Sequence, residues 1–366
     1  MNRNTGMSAG QIIGTIIGTM NGLQVMGLDI AKHVFQLHTV DMGTGEIANV
    51  QIKRAKVLEY FVNKPHSLIA MEACGGAHHW ARELTALGHS VRLLHAKIVR
   101  PFVSGNKTDA TDARAIWLAV QQPGVKFVGI KTAAQQATLT LHRQRELLMK
   151  MRTMQTNALR GLLYEFGATF AQGRKALFKD VERALEELST QLPQMVRDSL
   201  REQVERIKEM GDAMLEIEKR LALQLKADPH MQRIAQIPGV GLLTATAAIA
   251  TMGEASAFKS GREFCAWLGL VPSQTGTGGK VRLGGISKRG DTYVRTLLIH
   301  GARSVLSHAK EPSPWLQQIK ERRPANVVIV AQAAKMARTI WAVTAKEQSY
   351  QRGFQSVRPS AAMQAA

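Results

Sequence analysis

Gln24-Val25-Met26-Gly27-Leu28-Asp29-Ile30, followed after Ala31 and Lys32 by the alternating Val34-Phe35-Gln36-Leu37-His38, decides how the first third of this chain is built. An apolar run that ends on a carboxylate, then a short break and a second alternating run, predicts a hairpin with its acid at the end of a central strand. Working outward, the pattern predicts strands over 23–30, 34–40, 67–72 and 90–94. It predicts helices over 55–63 and 76–87, the second stopped by Gly88. Strand and helix alternation of this kind argues an α/β sheet with acids at strand ends, and the helical stretches beyond it make the expected fold class α/β plus α.

Three more carboxylates stand in comparable places. Glu72 closes Ser67-Leu68-Ile69-Ala70-Met71-Glu72, and Asp109 and Asp112 lie in Asn106-Lys107-Thr108-Asp109-Ala110-Thr111-Asp112-Ala113-Arg114. Three apart, Asp109 and Asp112 share one face of a helical turn. Taken singly, each acid reads as an ordinary solvated or helix-capping residue. Taken together, carboxylates that converge repel one another, and a divalent ion offsets that repulsion. Hard oxygen donors suit Mg²⁺ or Mn²⁺, and two such ions can clamp the attacking and leaving oxygens of a phosphodiester. The same opening also begins actin-like and sugar-kinase ATPase domains, but no Gly-rich phosphate loop follows a strand here.

Composition narrows the partner. In 366 residues the net charge is +20 and the pI near 10.3, which points to a polyanion, with nucleic acid first. Hydrophobic content of 45% suffices for sizeable cores. The two cysteines, Cys74 and Cys265, are far apart and lack zinc spacing, so a cytoplasmic protein without structural disulfides is expected, and the charge adds the expectation that it is nucleoid-associated. Residues 1–22 carry one arginine, no acid and an interrupted isoleucine run (Ile12, Ile13, Ile16, Ile17), too short to span a bilayer. They read as a flexible extension, with Met7 or Met20 as possible true starts, and no membrane partner is expected.

Residues 113–173 read as helical and basic, eight Lys/Arg against two acids. Arg143, Arg145, Lys150 and Arg152 cluster there; a phosphate-facing helix and a merely solvated basic face fit equally. Residues 174–226 balance eleven bases with eleven acids. Val181, Leu185, Leu188 and Leu192, then Leu200, Val204, Ile207, Met214, Ile217, Leu221 and Leu225, form a stripe that predicts an antiparallel hairpin or coiled coil broken at Pro193. Core packing within one subunit would also explain the stripe; its length and mixed charge favour a homo-oligomer, read as a dimer of dimers.

The last third opens with Ile237-Pro238-Gly239-Val240-Gly241-Leu242. A Gly-x-Gly turn between helices can offer the N–H groups of Gly239 and Gly241 to a DNA phosphate, although a tight turn with no ligand is as common. Beyond it run Pro272-Ser273-Gln274-Thr275-Gly276-Thr277-Gly278-Gly279-Lys280-Val281-Arg282 and Ile286-Ser287-Lys288-Arg289-Gly290-Asp291. From 273 to 309 there are six Lys/Arg and one acid, so a glycine-rich, hydroxyl-rich basic loop is expected to approach a nucleic-acid backbone. Lys107, Lys280, Arg282, Lys288, Arg289, Arg295 and Arg303 are the expected phosphate holders there and beside the acids.

On Gly27-Leu28-Asp29-Ile30-Ala31-Lys32, Met71-Glu72-Ala73-Cys74-Gly75, the Asn106–114 stretch, Ile237-Pro238-Gly239-Val240-Gly241 and Ile286-Ser287-Lys288-Arg289-Gly290-Asp291, the chain resembles the DEDD transposases of bacterial insertion sequences, in the IS110 family and its IS1111 subgroup. The resemblance covers about 23–345. It implies a RuvC-like, ribonuclease-H-type domain in which Asp29, Glu72, Asp109 and Asp112 are the four catalytic acids. It further implies a C-terminal transposase domain near 232–320 and a recombinase guided by a structured non-coding (bridge) RNA that pairs with donor and target double-stranded DNA.

The family attacks DNA with a serine in the glycine-rich loop. Counted from Pro272, the matching position here holds Thr277, whose hydroxyl has the same oxygen chemistry but an extra methyl. Ser273 and Thr275 are alternatives, and Ser287 the next. Hydroxyl and acids fall in different expected domains, which implies a composite site between subunits. The expected division is a flexible extension at 1–22, the RuvC-like domain at 23–173, a coiled-coil hairpin at 174–231, the transposase domain at 232–345 and a flexible tail at 346–366. Two readings from other classes stand beside it: a metal-dependent junction-resolving nuclease that uses water, and a non-catalytic nucleic-acid-binding protein.

Overall fold

The computed structural model describes residues 19–354 apart from 21, 42 and 107, and the chain divides into two units, 1–133 and 134–366. The expected N-terminal extension and C-terminal tail lie largely outside the described residues.

The first unit is mixed α/β around a central sheet. Its strands are β1 (Thr19–Met20), β2 (Leu23–Asp29), β3 (Val34–Val40), β4 (Ile47–Lys53), β5 (Leu68–Glu72) and β6 (Ser90–Leu94). The order is β4-β3-β2-β5-β6, with β1 also paired to β2. β2, β3 and β4 are antiparallel neighbours, whereas β2, β5 and β6 run parallel. The parallel strands need crossovers. Helices α1 (Val57–Val62), α2 (Ala77–Ala86), α3 (Ala96–Val99) and α4 (Asp109–Val120) supply the covering layers.

Period-two alternation sorts the strand residues onto two cores. Met26, Leu28, Phe35, Leu37, Ile69 and Met71 pack under α1 and α2, while Val25, Leu68, Ala70 and Leu94 pack with Ile116, Trp117 and Val120 of α4. β2 and β5 are covered on both faces and so read as continuous apolar runs. The predicted strands and helices of this unit agree with the observed ones to within a few residues. β4 was not expected: only Ile52 of its seven residues is buried, because it is the edge strand.

The second unit is largely helical. Helix α5 (Ala133–Tyr164) and α7 (Gln194–Ala227) run antiparallel, with α6 (Arg174–Glu187) folded back on the start of α7 and Pro193 at the break between them. Thr138 donates to Gln224 at 2.9 Å, the Arg145 Nη2–Glu218 pair is 2.6 Å apart, and Gln203 donates to Gln155 at 2.9 Å, so the pairing runs along most of both helices. Arg201 reaches Glu182 and Glu186, each at 3.3 Å, which sets α6 antiparallel to α7. Leu177, Val181, Leu185, Leu200, Val204 and Ile207 are buried with Leu159 and Leu163 of α5. Much of the leucine stripe is therefore buried within a single chain.

The remaining helices, α8 (Pro229–Ala235), α9 (Leu242–Met252), α10 (Gly261–Trp267), α11 (Thr292–His308), α12 (Pro314–Arg322) and α13 (Ala325–Ala345), surround one apolar core. α13 is apolar and long enough to cross a membrane, but Val328, Ile329, Ala333, Met336, Ala337 and Ile340 bury one face of it in that core. From α10 a two-stranded ribbon, β7 (Pro272–Thr277) and β8 (Lys280–Ile286), projects with every residue exposed except the half-buried Ile286. The glycine-rich stretch expected as a loop is thus a hairpin. Gly278 (φ 57°) and Gly279 (φ 78°) make its two-residue turn, a conformation glycine adopts without a Cβ clash.

Candidate active site and nucleic-acid interface

Asp29 ends β2 and Glu72 ends β5, and these strands are parallel neighbours with Leu28 opposite Met71. The two carboxylates therefore leave the same edge of the sheet about 4.8 Å apart along it. Alternation puts them on the face of Val25, Gly27, Leu68 and Ala70, which α4 covers. Gly27 explains how closely: a Cβ there would run into the Ala113 carbonyl and lie 2.7 Å from the Trp117 amide. Trp117 Nε1 also donates to the Val25 carbonyl at 3.0 Å, which fixes the helix along the strand.

The sheet-facing stripe of α4 is Ala113, Ile116, Trp117 and Val120. One turn earlier, the same stripe continues as Asp109 and Asp112, beyond the sheet edge. Asp109 is exposed and Asp112 half-buried. Neither is needed to cap the helix. Thr108 Oγ1 accepts from the Thr111 amide at 3.2 Å, and Thr111 Oγ1 accepts from the Thr108 amide at 2.9 Å. This reciprocal box satisfies the first turn with hydroxyls and leaves the carboxylates for other use. The Thr-x-x-Thr spacing carried that signal in the sequence.

Cys74 reports on the same edge. Burial pushes its thiol up, and the Glu72 and Asp29 carboxylates nearby push in the same direction. Among the described residues, no three Asp, Glu, His or Cys side chains close on a point that would hold a metal. The strand ends supply Asp29 and Glu72 and the first turn of α4 supplies Asp109 and Asp112, carboxylates whose oxygens are the donor chemistry that suits Mg²⁺ or Mn²⁺.

In the ribbon, Thr277 pairs with Lys280 and Thr275 with Arg282 across the strands. Cross-strand partners and residues two apart point to the same side, so two hydroxyls and two cations share one face. Thr275 and Thr277 make no side-chain hydrogen bond among the described residues. Ser273 differs: its hydroxyl donates to the Gly285 carbonyl at 3.0 Å. Ser287 Oγ is buried without a partner. Of the hydroxyls considered, only those of Thr275 and Thr277 are open on the exposed ribbon.

Several expected phosphate holders have internal duties. Arg295 is 6% exposed, and its guanidinium donates to the carbonyls of Leu268 and Arg289, each at 2.9 Å, and to Thr292 Oγ1 at 3.0 Å. It clamps the 287–291 turn rather than facing solvent. Gly239 (φ 85°) is packed so closely that a Cβ would come within 2.8 Å of the Gly301 carbonyl of α11. Gly241, the residue before α9, has open space around it. Arg145 is held by Glu218. Arg143, Lys280, Arg282, Lys288 and Arg289 are exposed, and Lys107 lies outside the described residues.

A polar cluster unseen in the sequence lies within the second unit. His142 of α5 is 1% exposed, with Nδ1 3.0 Å from the Tyr293 hydroxyl and Nε2 2.9 Å from Thr246 Oγ1. Thr246 donates to the Leu242 carbonyl at 2.8 Å. The neutral ring therefore donates from Nε2 and accepts from Tyr293 at Nδ1. Burial, reinforced by Arg145, pushes this imidazole down to about 4.

An acid-edged sheet and a basic, hydroxyl-bearing ribbon are the equipment of an enzyme that works on nucleic-acid phosphates, and comparison with known proteins agrees. Residues 26–167 match the DEDD transposases of the IS110 type, and residues 231–318 match the Transposase IS116/IS110/IS902 family. A probable family 20 transposase of Pseudomonas aeruginosa is 45% identical over 90% of this chain and 99% of its own length. The transposase for insertion sequence element IS1111A of Coxiella burnetii is 38% identical over 92% and 93%. That for IS1328 of Yersinia enterocolitica is 36% identical over 89% and 98%. The chain belongs to the IS110 family of transposases, enzymes that cleave and rejoin DNA. Its mixed sheet fits the RuvC-like fold of DEDD members, and membership implies dependence on a divalent metal.

Proposed function

We propose that this transposase is an RNA-guided recombinase in which Thr277 is the nucleophile and Asp29, Glu72, Asp109 and Asp112 hold the divalent ions. The observation that carries the reading is the ribbon face on which Thr277 and Thr275 stand beside Lys280 and Arg282. The two cations bind the scissile phosphate and draw it to the hydroxyl. Thr277 Oγ1 then bonds to phosphorus as the bond to the departing deoxyribose oxygen breaks, giving a phosphothreonine link. Attack by a hydroxyl of the other DNA strand reverses the step and rejoins the backbone. Asp29, Glu72, Asp109 and Asp112 would hold a divalent ion, which would supply charge neutralisation and polarisation at a phosphate.

The proposal extends to partners. Sequence choice belongs to a structured guide RNA that pairs with donor and target DNA, held by a protein whose +20 charge suits phosphate backbones. The enzyme works as a dimer of dimers joined in part through a coiled coil, close to the nucleoid. Supporting that assembly, Leu147, Met151, Met154 and Leu162 of α5 are 37–62% exposed and fall on one side of the helix.

The test is the covalent intermediate. Incubation with supercoiled DNA carrying the element ends, followed by denaturation and peptide mass spectrometry, is expected to find DNA on Thr277, and RNA sequencing of the purified protein to find one structured species. Free DNA ends without an adduct would instead make it a water-using nuclease, and an adduct on Thr275 would move the nucleophile two residues along the same face.

A further inference from the structure

The antiparallel pair α5 and α7 is built in layers, and one layer is missing its acid. Arg145 of α5 sits opposite Glu218 of α7 and is neutralised by it at 2.6 Å. Seven residues on, Arg152 occupies the same side of α5, and seven residues back from Glu218 the position on α7 is Gly211. Instead of a counter-charge, a second cation arrives: a Cβ at Gly211 would lie 3.7 Å from Arg152 Nη1 and 3.9 Å from Arg174 Nη1. Neither guanidinium makes a hydrogen bond or ion pair among the described residues. Arg174 is the first residue of α6, where the free N–H groups of the helix start add further positive potential.

The arrangement opposes stability in two ways. Two guanidiniums face one point without an acid between them, and burial together with Arg174 and Arg145 pulls Arg152 down, offset only by Glu218. A glycine in the interior of a 34-residue helix is itself unfavourable relative to alanine. Unlike Gly27 and Gly239, Gly211 has no backbone pressed against it. What the glycine leaves is room above the helix between two arginines.

We infer that Arg152 and Arg174, over the gap at Gly211, form a binding site for one backbone phosphate of a nucleic-acid strand. Both nitrogens lie less than 4 Å from a single point, a span that two oxygens of one phosphate bridge with charge-assisted bonds of about 2.8 Å. Guanidinium forks suit this better than ammonium groups. The inference rests on the nucleic-acid reading of the function but not on Thr277, the acids or the guide.

The experiment compares the full-length protein with Arg152→Gln/Arg174→Gln and, separately, Gly211→Asp, which sets a carboxylate where the phosphate would lie. Binding of a labelled single-stranded RNA and of a duplex DNA, both of arbitrary sequence, is titrated over a range of salt, and melting is followed with and without inorganic phosphate. In both variants affinity is expected to fall roughly tenfold at physiological salt. The slope of log affinity against log salt is expected to shrink by about 0.9 on duplex or about 0.7 on single strands. Gly211→Asp is expected to melt no lower than the parent, which separates loss of binding from loss of fold. The strand whose slope changes identifies the source of the phosphate. Unchanged affinity and slope on both strands in Gly211→Asp would overturn the site, as would phosphate-dependent stabilisation lost in the variants while strand binding persists. Absence of strand binding by the parent would instead overturn the nucleic-acid reading beneath it.

Discussion

Gly27 of β2 lies directly beneath Ala113 of α4, with no room between strand and helix for a single methyl group. This contact sets the height of α4 over the sheet and thereby the distance from Asp112 to Asp29. Gly27→Ala is expected to lift the helix, lower stability by about 3 kcal/mol or more, and remove recombination even in whatever fraction folds. Chemical denaturation together with an in vitro recombination assay checks it; an active Gly27→Ala protein would mean the helix height does not matter.

The acids are expected to separate chemistry from fold. Asp29→Asn and Asp112→Asn should each abolish strand cleavage while leaving the fold intact; for Asp112 the change in stability should be no more than about 0.5–1 kcal/mol, because capping of its helix is handled by Thr108 and Thr111. Cleavage at near-parental rate in either variant would remove that carboxylate from the metal set.

At Thr277 the outcomes run in opposite directions. Thr277→Ala is expected to end adduct formation with RNA and DNA binding near normal, whereas Thr277→Ser, which keeps the hydroxyl and sheds the methyl, is expected to match or exceed the parent. A Thr277→Ala protein that still links to DNA would transfer the role to Thr275.

Arg295 is expected to matter for the fold first. Arg295→Met removes the donor to the buried Leu268 carbonyl, at about 1–3 kcal/mol for that group, and to the partly buried Arg289 carbonyl, and should lower the melting temperature by several degrees. Lys288→Ala/Arg289→Ala, by contrast, should leave melting unchanged and weaken binding of all sequences alike, with a shallower salt dependence. A normal melting curve for Arg295→Met would undo the clamp.

For pH, the sign follows from His142. Its folded value is depressed to about 4 from 6.5, so the unfolded chain takes up a proton that the folded one refuses. The associated stability is complete above about pH 6.5 and is lost as pH falls towards 4, up to about 3 kcal/mol at 1.36 kcal/mol per unit. Melting of the parent and of His142→Gln between pH 4 and 7.5 should show the parent losing stability more steeply with acid. Parallel curves would contradict a neutral buried ring.

What could be read from the residues divides along burial. β2, β3, β5 and β6 were legible because strands covered by helices must be apolar throughout, and the acids stood out as the polar residues closing two of those runs. β4 escaped because an edge strand that buries only Ile52 has little apolar signal. The ribbon read as a loop because its five glycines lower strand propensity, yet Gly278 and Gly279 are there to turn it. The roles of Arg295 and Gly239 could not be read locally: a buried arginine clamp and a glycine pressed on another helix depend on partners far along the chain. His142 likewise sits in an ordinary helical sequence, and only α9 and α11 reveal its duties.

A ribbon that buries almost nothing contributes almost nothing to folding. Lesions from Ser273 to Leu283 therefore yield chains that accumulate, keep their cores and retain the basic surfaces elsewhere. In a cell holding several copies of the gene, such a chain is expected to compete with intact protein for the same DNA, so one decayed copy acts as a dominant brake on its siblings.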